Sequence, residues 1–488
     1  MATPARAQHR LRLSIATVAA AALTMPTFGC NDNGASGHTS DTVPTDESEG
    51  VVGSASSGIG STGDVGDDTN SAGLFVAITY APHPKVATMI VVRWRLTRVT
   101  DATWLEFSFE DDQWYASPER DGHVDAHLEV ALGVPEGAAL SLRLASRTSG
   151  KQMRSNIFRT TNGRAPKAMP RATVEIFDDQ LASDNRWMIG AVSERGAGGY
   201  GGPNWIYIID RRARVVWYHR PAGGINGELN QSFWPRLSRD GTHISLDRQI
   251  RAIDGDLLFT TLDFSYQREV RLPDQGDCYD VTDDGHILYT TRDNPALLRE
   301  VAPDGTRRDV WECKFEHCYS NTVNWDPASD AVLLSFPYIN TVVQIDRASG
   351  KVRSLWGDEG DWSFSPEPLG LDFNHWPNIT PEGTLMVSSH LPGTDTHLFM
   401  EYEINEAIKT LTKKWTYGEG QNDWAEERGM ASRAPGGNML GNYGSSGVIV
   451  EVTPDKQLAW RIVYEGRLLG NNTFIDDLYA LNRGPETR

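Results

Sequence analysis

A two-part β-hairpin unit recurs from residue 185 onward and restricts the fold of this chain more than any other feature. One part is a hairpin with Asp-Gly or a close equivalent at its tip, where the favoured two-residue turns need a positive φ. The tips are Asp240-Gly241, Asp284-Gly285, Ser329-Asp330, Glu382-Gly383 and Gly436-Gly437. They are about 40 to 55 residues apart, which is the length of one four-stranded propeller blade.

The other part of the unit is a strand pair whose turn lies between an acidic strand end and a tryptophan. The copies are Asp210 with Trp217, Asp304 with Trp311, Asp346 with Trp356, Glu403 with Trp415, and Asp455 with Trp460. A twisted sheet of this size cannot bury both faces alone, so the copies must pack around an axis. Five copies and the segment 185–220 predict about six blades over residues 185–482, with the tryptophans in the core.

A separate folded unit is expected over residues 73–165. Alternating runs such as Ile90–Trp94 and Trp104–Phe109, with turn residues between them, predict a small sandwich that is similar to a fibronectin type III module. The predicted fold is therefore all-β: a roughly six-bladed β-propeller preceded by a fibronectin III-like β-sandwich.

The N-terminus predicts export. Residues 1–30 have a basic start, an apolar run from Leu13 to Leu23 that is too short to span a bilayer, and then Cys30 after a small residue. This end of the segment resembles a bacterial lipobox, although Phe28 departs from it; an ordinary cleaved signal peptide is the alternative. Residues 31–72 are nearly all Gly, Ser, Thr, Asp and Asn, which predicts a disordered linker. We expect a lipoprotein of the bacterial cell envelope, in the periplasm or at the cell surface, that meets the membrane through its lipid only.

Charge and cysteine content exclude some functions. The formal net charge of −19 argues against nucleic-acid binding, which requires a positive surface. After Cys30, three cysteines remain, Cys278, Cys313 and Cys318, so an oxidising compartment permits one disulfide and leaves one thiol. The pairing stays open, and a metal site at Cys313, His317 and Cys318 is a weaker alternative because no second ligand pair has zinc-like spacing.

Polar residues just before each hairpin are expected to face the central channel of a propeller. Three segments qualify: 278–281, 317–323 and 372–378. Each precedes its hairpin by a similar distance, so all three should face the same pore.

The same segments carry a family resemblance. Asn321-Thr322-Val323, the strand ending Ile345-Asp346, then Leu355-Trp356-Gly357, and Asn374-His375 ahead of Pro381–Leu385 together resemble the bacterial arylsulfate sulfotransferases over roughly residues 200–465. That resemblance implies a six-bladed periplasmic propeller that moves a sulfuryl group between phenols by ping-pong chemistry, without a nucleotide donor or another cofactor. It also implies that His375 is the transiently sulfated nucleophile, a role that suits a neutral imidazole.

The rest of the family site departs from the pattern. Tyr279, before Asp280, and Tyr319, two residues before Asn321, stand where the family has histidines. The family arginine falls near Pro337, where the sequence offers no cation to stabilise a transferring sulfuryl group. His317 is the nearest possible substitute. The resulting candidates are His375 as the catalytic residue and Tyr279, Asp280, His317, Tyr319, Asn321 and Trp376 as substrate-binding residues.

Three functions remain open on the sequence. The first is an aryl sulfotransferase-like enzyme, and the second is a propeller that binds a small aromatic or anionic ligand without turnover. The third is a surface interaction scaffold. His390 and His397 follow the third inner segment and are lesser candidates for the site, and the oligomeric state is not indicated.

Overall fold

The computed structural model describes residues 53–54, 73–110, 113–194, 204–221, 232–249, 254–292, 296–366, 370–391, 394–421, 423–434 and 436–485. The predicted signal peptide, Cys30 and nearly all of the predicted linker lie outside these residues. Within them the regular structure is β-strand apart from three 3₁₀ turns, Pro337–Ile339, Gly444–Ser446 and Ala480–Asn482. No helix in these ranges has the length and apolar character needed to cross a membrane.

The first folded part is a two-sheet sandwich. Its strands are β1 (Gly53–Ser54), β2 (Phe75–Pro82), β3 (Ile90–Leu96), β4 (Thr100–Ser108), β5 (Tyr115–Ala116), β6 (Arg120–Gly122), β7 (Ala126–Ala131), β8 (Ala139–Thr148), β9 (Lys151–Arg154) and β10 (Phe158–Thr161). One sheet has the order β1-β2-β3-β7, and the other has β10-β8-β4-β5 with β6 beside β4 and β9 beside β8. Trp94, Leu105, Phe107 and Leu142 belong to the core between them.

One boundary prediction is wrong here. Gly53–Ser54 falls in the predicted linker but pairs with Thr79 and Tyr80 at the edge of the first sheet. Backbone hydrogen bonding, which does not depend on side chains, outweighs the polar composition at these two residues.

Twenty-six further strands follow in the described part of the chain, from β11 to β36. They are β11 (Thr173–Phe177), β12 (Trp187–Ser193), β13 (Asn204–Asp210), β14 (Val215–His219), β15 (Arg236–Leu237), β16 (Ile244–Gln249), β17 (Asp254–Thr260), β18 (Gln267–Pro273), β19 (Gln275–Val281), β20 (Ile287–Thr291), β21 (Leu297–Val301), β22 (Arg307–Glu312), β23 (Thr322–Asp326), β24 (Ala331–Phe336), β25 (Thr341–Asp346), β26 (Val352–Gly357), β27 (Ser363–Ser365), β28 (Asp372–Ile379), β29 (Leu385–His390), β30 (His397–Asn405), β31 (Thr410–Tyr417), β32 (Met430–Arg433), β33 (Met439–Asn442), β34 (Val448–Val452), β35 (Leu458–Val463) and β36 (Leu469–Ile475).

These strands form a β-propeller, as the repeat predicts. Six sheets of four or five strands are present in the described residues: β36-β12-β13-β14, β15 to β18, β19 to β22, β23 to β26, β28-β29-β30-β31-β27, and β32-β33-β34-β35-β11. The strand named first in each sheet is the innermost. Neighbouring sheets meet along these inner strands, since β19 contacts β23, β23 contacts β28, and β28 contacts β32.

Strands from both ends of the propeller segment pair with each other and close the ring. The C-terminal strand β36 pairs with β12 in the first sheet, and β11 pairs with β35 in the last. The predicted boundary at residue 185 is therefore wrong, because residues 173–177 already belong to the propeller. The run Thr173–Phe177 lies outside the repeat, so repeat spacing does not detect it.

The predicted hairpin tips are confirmed. Gly241, Gly285, Gly383 and Gly437 have φ angles of 68°, 79°, 79° and 91°, and Asp330 takes the same role at 50°. Each tip joins the innermost two strands of its sheet. Among the repeat tryptophans, Trp217, Trp356, Trp415 and Trp460 are buried in the core as expected, whereas Trp311 is half-buried.

Candidate functional site

A cavity of about 380 Å³ opens where the N-terminal ends of the inner strands meet. It is lined by Phe233, Trp234, Asp277, Tyr319, Asn321, Pro337, Tyr338, Phe373, His375, Glu426, Glu427 and Arg428. Most of these residues lie on the inner strands of five of the six sheets or in the segments just before them, and Pro337 and Tyr338 come from the turn between β24 and β25. The cavity lies where channel-facing residues were predicted, and it has the size of a small-molecule site.

His375 is presented to the cavity by an irregular strand. Its partner on β29 is Ser388, and the register of the pairing shifts on both sides of His375. Phe373 and Trp376 adopt positive φ values of 47° and 55°. Bulges of this kind re-aim a side chain, so His375 is turned into the cavity while Trp376 is turned away from it.

The hydrogen bonding of His375 selects one tautomer. Its Nδ1 lies 3.0 Å from the backbone oxygen of Phe373. A carbonyl only accepts, so Nδ1 carries the hydrogen and Nε2 holds the lone pair. Burial lowers the pKa of His375 to about 3, and the imidazole is therefore neutral at physiological pH. The cavity thus contains an unprotonated ring nitrogen of the kind that nucleophilic chemistry requires.

Arg428 supplies a cation to the cavity of His375. Its guanidinium lies 3.4 Å from the centroid of the Phe233 ring, and its backbone has a left-handed φ of 64°. Burial lowers the pKa of Arg428 and the Asp277 charge opposes that shift, but an arginine stays protonated at neutral pH. The sequence near Pro337 has no cation, and the charge in the cavity comes instead from the segment just before β32.

A signal for Arg428 was present in the repeat. Arg428 stands eight residues before Gly436, as Asn321 stands eight before Ser329 and His375 stands seven before Glu382. The same spacing applied to the last hairpin therefore finds it.

Asn321 and Tyr319, two of the predicted substrate-binding residues, line the cavity. Asn321 is 5% exposed, and its Oδ1 accepts the hydroxyl of Thr322. Its Nδ2 is buried with no hydrogen-bond partner among the described residues, so it is a donor that a ligand can satisfy. The Tyr319 hydroxyl donates to Asp277, and partial burial and the Asp277 charge hold the pKa of Tyr319 above its ordinary value.

Three predicted substrate-binding residues do not line the cavity. Tyr279 is fully buried with its hydroxyl 2.9 Å from Ser245, and Trp376 stacks on Trp234 with ring centroids 5.4 Å apart. The Asp280 carboxylate accepts the backbone N–H of Trp325 at 2.8 Å and pairs at 3.3 Å with Arg236, whose side chain is 14% exposed. They lie one or more residues further along their strands than the cavity-lining positions, and each step moves a side chain about 3.3 Å down the channel.

His317 is also displaced from the predicted site. It lines a second cavity of about 610 Å³ beside the first, so of His317, Tyr279 and Tyr319 only Tyr319 shares the cavity of His375.

Cys313 and Cys318 form a disulfide and Cys278 is a buried thiol, which decides the open pairing. The alternative metal site fails because both of its thiolates are consumed in the disulfide.

His390 and His397 pack behind the site. The His390 ring stacks on Phe373 with centroids 5.4 Å apart, and its Nε2 lies 2.9 Å from the Ala425 carbonyl oxygen. The Nε2 of His397 lies 2.7 Å from the Ser388 hydroxyl. Both support the strand that carries His375 and neither lines its cavity.

Comparison with known proteins gives only distant likeness. No protein-family model matches the chain, and no curated protein matches it. Similar solved structures include virginiamycin B lyase from Staphylococcus aureus. It is 10% identical, the match covers 47% of this chain and 69% of that chain, and the TM-score is 0.34. An auxiliary nutrient binding protein from Bacteroides ovatus has 10% identity, covers 79% and 84% of the two chains, and has a TM-score of 0.36. Dihydro-heme d1 dehydrogenase NirN has 11% identity, covers 77% and 76%, and has a TM-score of 0.35. Likeness at this level carries no functional conclusion, and none of the three is named as an arylsulfate sulfotransferase.

Proposed function

We propose that the His375 cavity binds an aryl sulfate and that His375 transfers its sulfuryl group to a phenol. The observation that carries the proposal is the pairing of a neutral imidazole, whose Nε2 holds its lone pair, with the Arg428 cation in one cavity. The family resemblance at Asn374-His375 supports the same assignment.

The reaction balances in two steps. The Nε2 lone pair attacks sulfur, the bond from sulfur to the aryl oxygen breaks, and that oxygen leaves with the electron pair and takes a proton from water. The oxygen of a second phenol then attacks sulfur as its proton passes to water, and the N–S bond breaks with the electron pair returning to Nε2. Arg428 and the Asn321 amide are the donors that stabilise the sulfuryl oxygens during both steps.

The test is release of 4-nitrophenolate from 4-nitrophenyl sulfate with phenol as the acceptor. His375→Asn keeps an N–H for the Phe373 carbonyl but removes Nε2, and we expect transfer to fall by at least about 10³-fold. His123→Asn, on the exposed surface of the sandwich, is the matched control. Without an acceptor, the parent protein should gain the mass of one sulfuryl group at His375. Full activity in His375→Asn would refute the role of His375.

Ligand binding without transfer is the second candidate. The carboxylates of Asp277 and Glu427 act on Arg428 and offset its positive charge, which weakens stabilisation of a transferring sulfuryl group. This candidate is supported if the parent and His375→Asn both bind the aryl sulfate saturably and neither turns it over.

We also propose that the protein is exported and lipid-anchored at Cys30. The Cys313–Cys318 disulfide supports this, since disulfides persist in oxidising compartments. Cys30→Ser should abolish incorporation of radiolabelled palmitate and release the protein from membranes. Unchanged labelling would contradict the assignment.

A further inference from the structure

The second cavity adjoins the His375 cavity and has no place in the transfer steps above. Its volume is about 610 Å³, and both cavities lie within the range of roughly 300–1,000 Å³ of small-molecule sites. Asp277, Tyr319 and Tyr338 line both of them. These three residues therefore form a wall that both cavities share. One ligand that lies along this wall can extend from the inner cavity to the outer one.

Aromatic rings lead outward from His375 along this wall. The Phe373 ring lies 5.3 Å from the His375 ring, and the Tyr338 ring lies 5.9 Å from Phe373 in an edge-on contact. The Tyr319 ring follows at 5.5 Å from Tyr338. Tyr319 and Tyr338 are 46% and 63% exposed. Large aromatic side chains left in solvent at a cavity wall are typical of binding surfaces, where they offer contact area at low entropic cost.

The structure holds both tyrosines in place. Tyr319 follows the Cys313–Cys318 disulfide directly and donates its hydroxyl to Asp277. Tyr338 is the middle residue of the 3₁₀ turn Pro337–Ile339, which begins with proline and ends at Asn340 in the left-handed conformation. A pre-organised pair loses little freedom when a ring packs against it, and this favours binding.

We propose that the outer cavity is a second subsite that takes the distal ring of the same ligand, so that the preferred substrates are two-ring aryl sulfates. The proposal rests on the proposed function for the sulfate end of that ligand. Arg292, Glu316 and His317 line the outer cavity but not the inner one, and they provide donors and acceptors for a polar group on the distal ring. A single-ring sulfate fills the inner cavity only.

Equilibrium binding tests the inference apart from turnover. The host is the full chain with His375→Asn, which cannot consume the ligand, and the probes are phenyl sulfate and biphenyl-4-yl sulfate followed by calorimetry. We expect the two-ring probe to bind about tenfold more tightly, as a stacked ring contributes by alanine substitution. Adding Tyr338→Ala should remove most of that preference and Tyr338→Phe should keep it. Ile408→Ala, at a 68% exposed turn position between β30 and β31, is the surface control.

The outcomes separate the two proposals. Equal affinity for both probes would overturn the second subsite and leave sulfuryl transfer standing. A two-ring preference that persists in Tyr338→Ala would also overturn it. If Tyr338→Ala removes the two-ring preference and the parent protein shows no sulfuryl transfer, the subsite is supported and the enzyme proposal is overturned.

Discussion

Acidification should destabilise the protein through His375, and the share of this one residue can be measured. The imidazole is 7% exposed, and burial lowers its pKa from 6.5 to about 3. Below pH 6.5, His375 binds a proton in the unfolded chain but stays unprotonated in the folded protein. Stability from this group is therefore fully present above pH 6.5 and is lost as the pH falls toward the folded pKa.

The magnitude follows from these two pKa values. Between pH 7.5 and pH 5.0, linkage gives a loss of about 2 kcal/mol in the free energy of unfolding for His375. Other groups titrate in the same interval, and buried carboxylates with raised pKa values, such as Asp247, oppose the loss. Burial raises the pKa of Asp247 to about 7, so the folded protein takes up a proton there as the pH falls, and this stabilises it. The total pH dependence therefore does not isolate His375, whereas a comparison of two proteins does.

The assay is urea unfolding of the parent and of His375→Asn at the two pH values. The asparagine does not titrate, and it keeps an N–H for the Phe373 carbonyl. We expect the parent to lose about 2 kcal/mol more than the variant, with equal m-values. Tyr338→Phe, at a 63% exposed position, should behave as the parent. A difference between parent and variant that changes by less than about 0.5 kcal/mol would refute a neutral buried His375 and the tautomer on which the transfer chemistry depends.

Two further variants test the surroundings of the cavity. Replacing Cys313 and Cys318 by serine should lower the free energy of unfolding by about 2 kcal/mol, which is the loop-closure entropy of so short a loop. The same change should reduce the preference for the two-ring probe, and an unchanged preference on calorimetry would show that the disulfide does not position Tyr319. Asp280→Asn leaves buried Arg236 without its carboxylate and should cost about 3 kcal/mol on urea unfolding, while the affinity for phenyl sulfate changes less than twofold. Weakened binding at unchanged stability would return Asp280 to the site.

The repeat predicted those parts of the site that depend on position along a strand. Hairpin spacing placed Asn321 and His375 at equivalent positions, and both line the cavity. The spacing does not indicate how far along the channel a side chain lies, and neither Tyr279 nor Trp376, both predicted to bind substrate, lines the cavity. Trp376 is turned away by its positive φ of 55°, and non-glycine residues adopt such a conformation too rarely for a sequence pattern to indicate it.

Arg428 shows why a match to a family pattern, made one segment at a time, can overlook charged residues of a propeller site. The inner strands of neighbouring sheets contact one another, so a cation from any sheet reaches the same central space. The sequence lacks an arginine near Pro337, but both Pro337 and Arg428 line the cavity of His375. The absence of a charged residue from one sheet therefore does not imply that the site has no such charge. Equivalent positions of all the sheets must therefore be compared. For this chain, that comparison finds one cation, Arg428, in the cavity of His375.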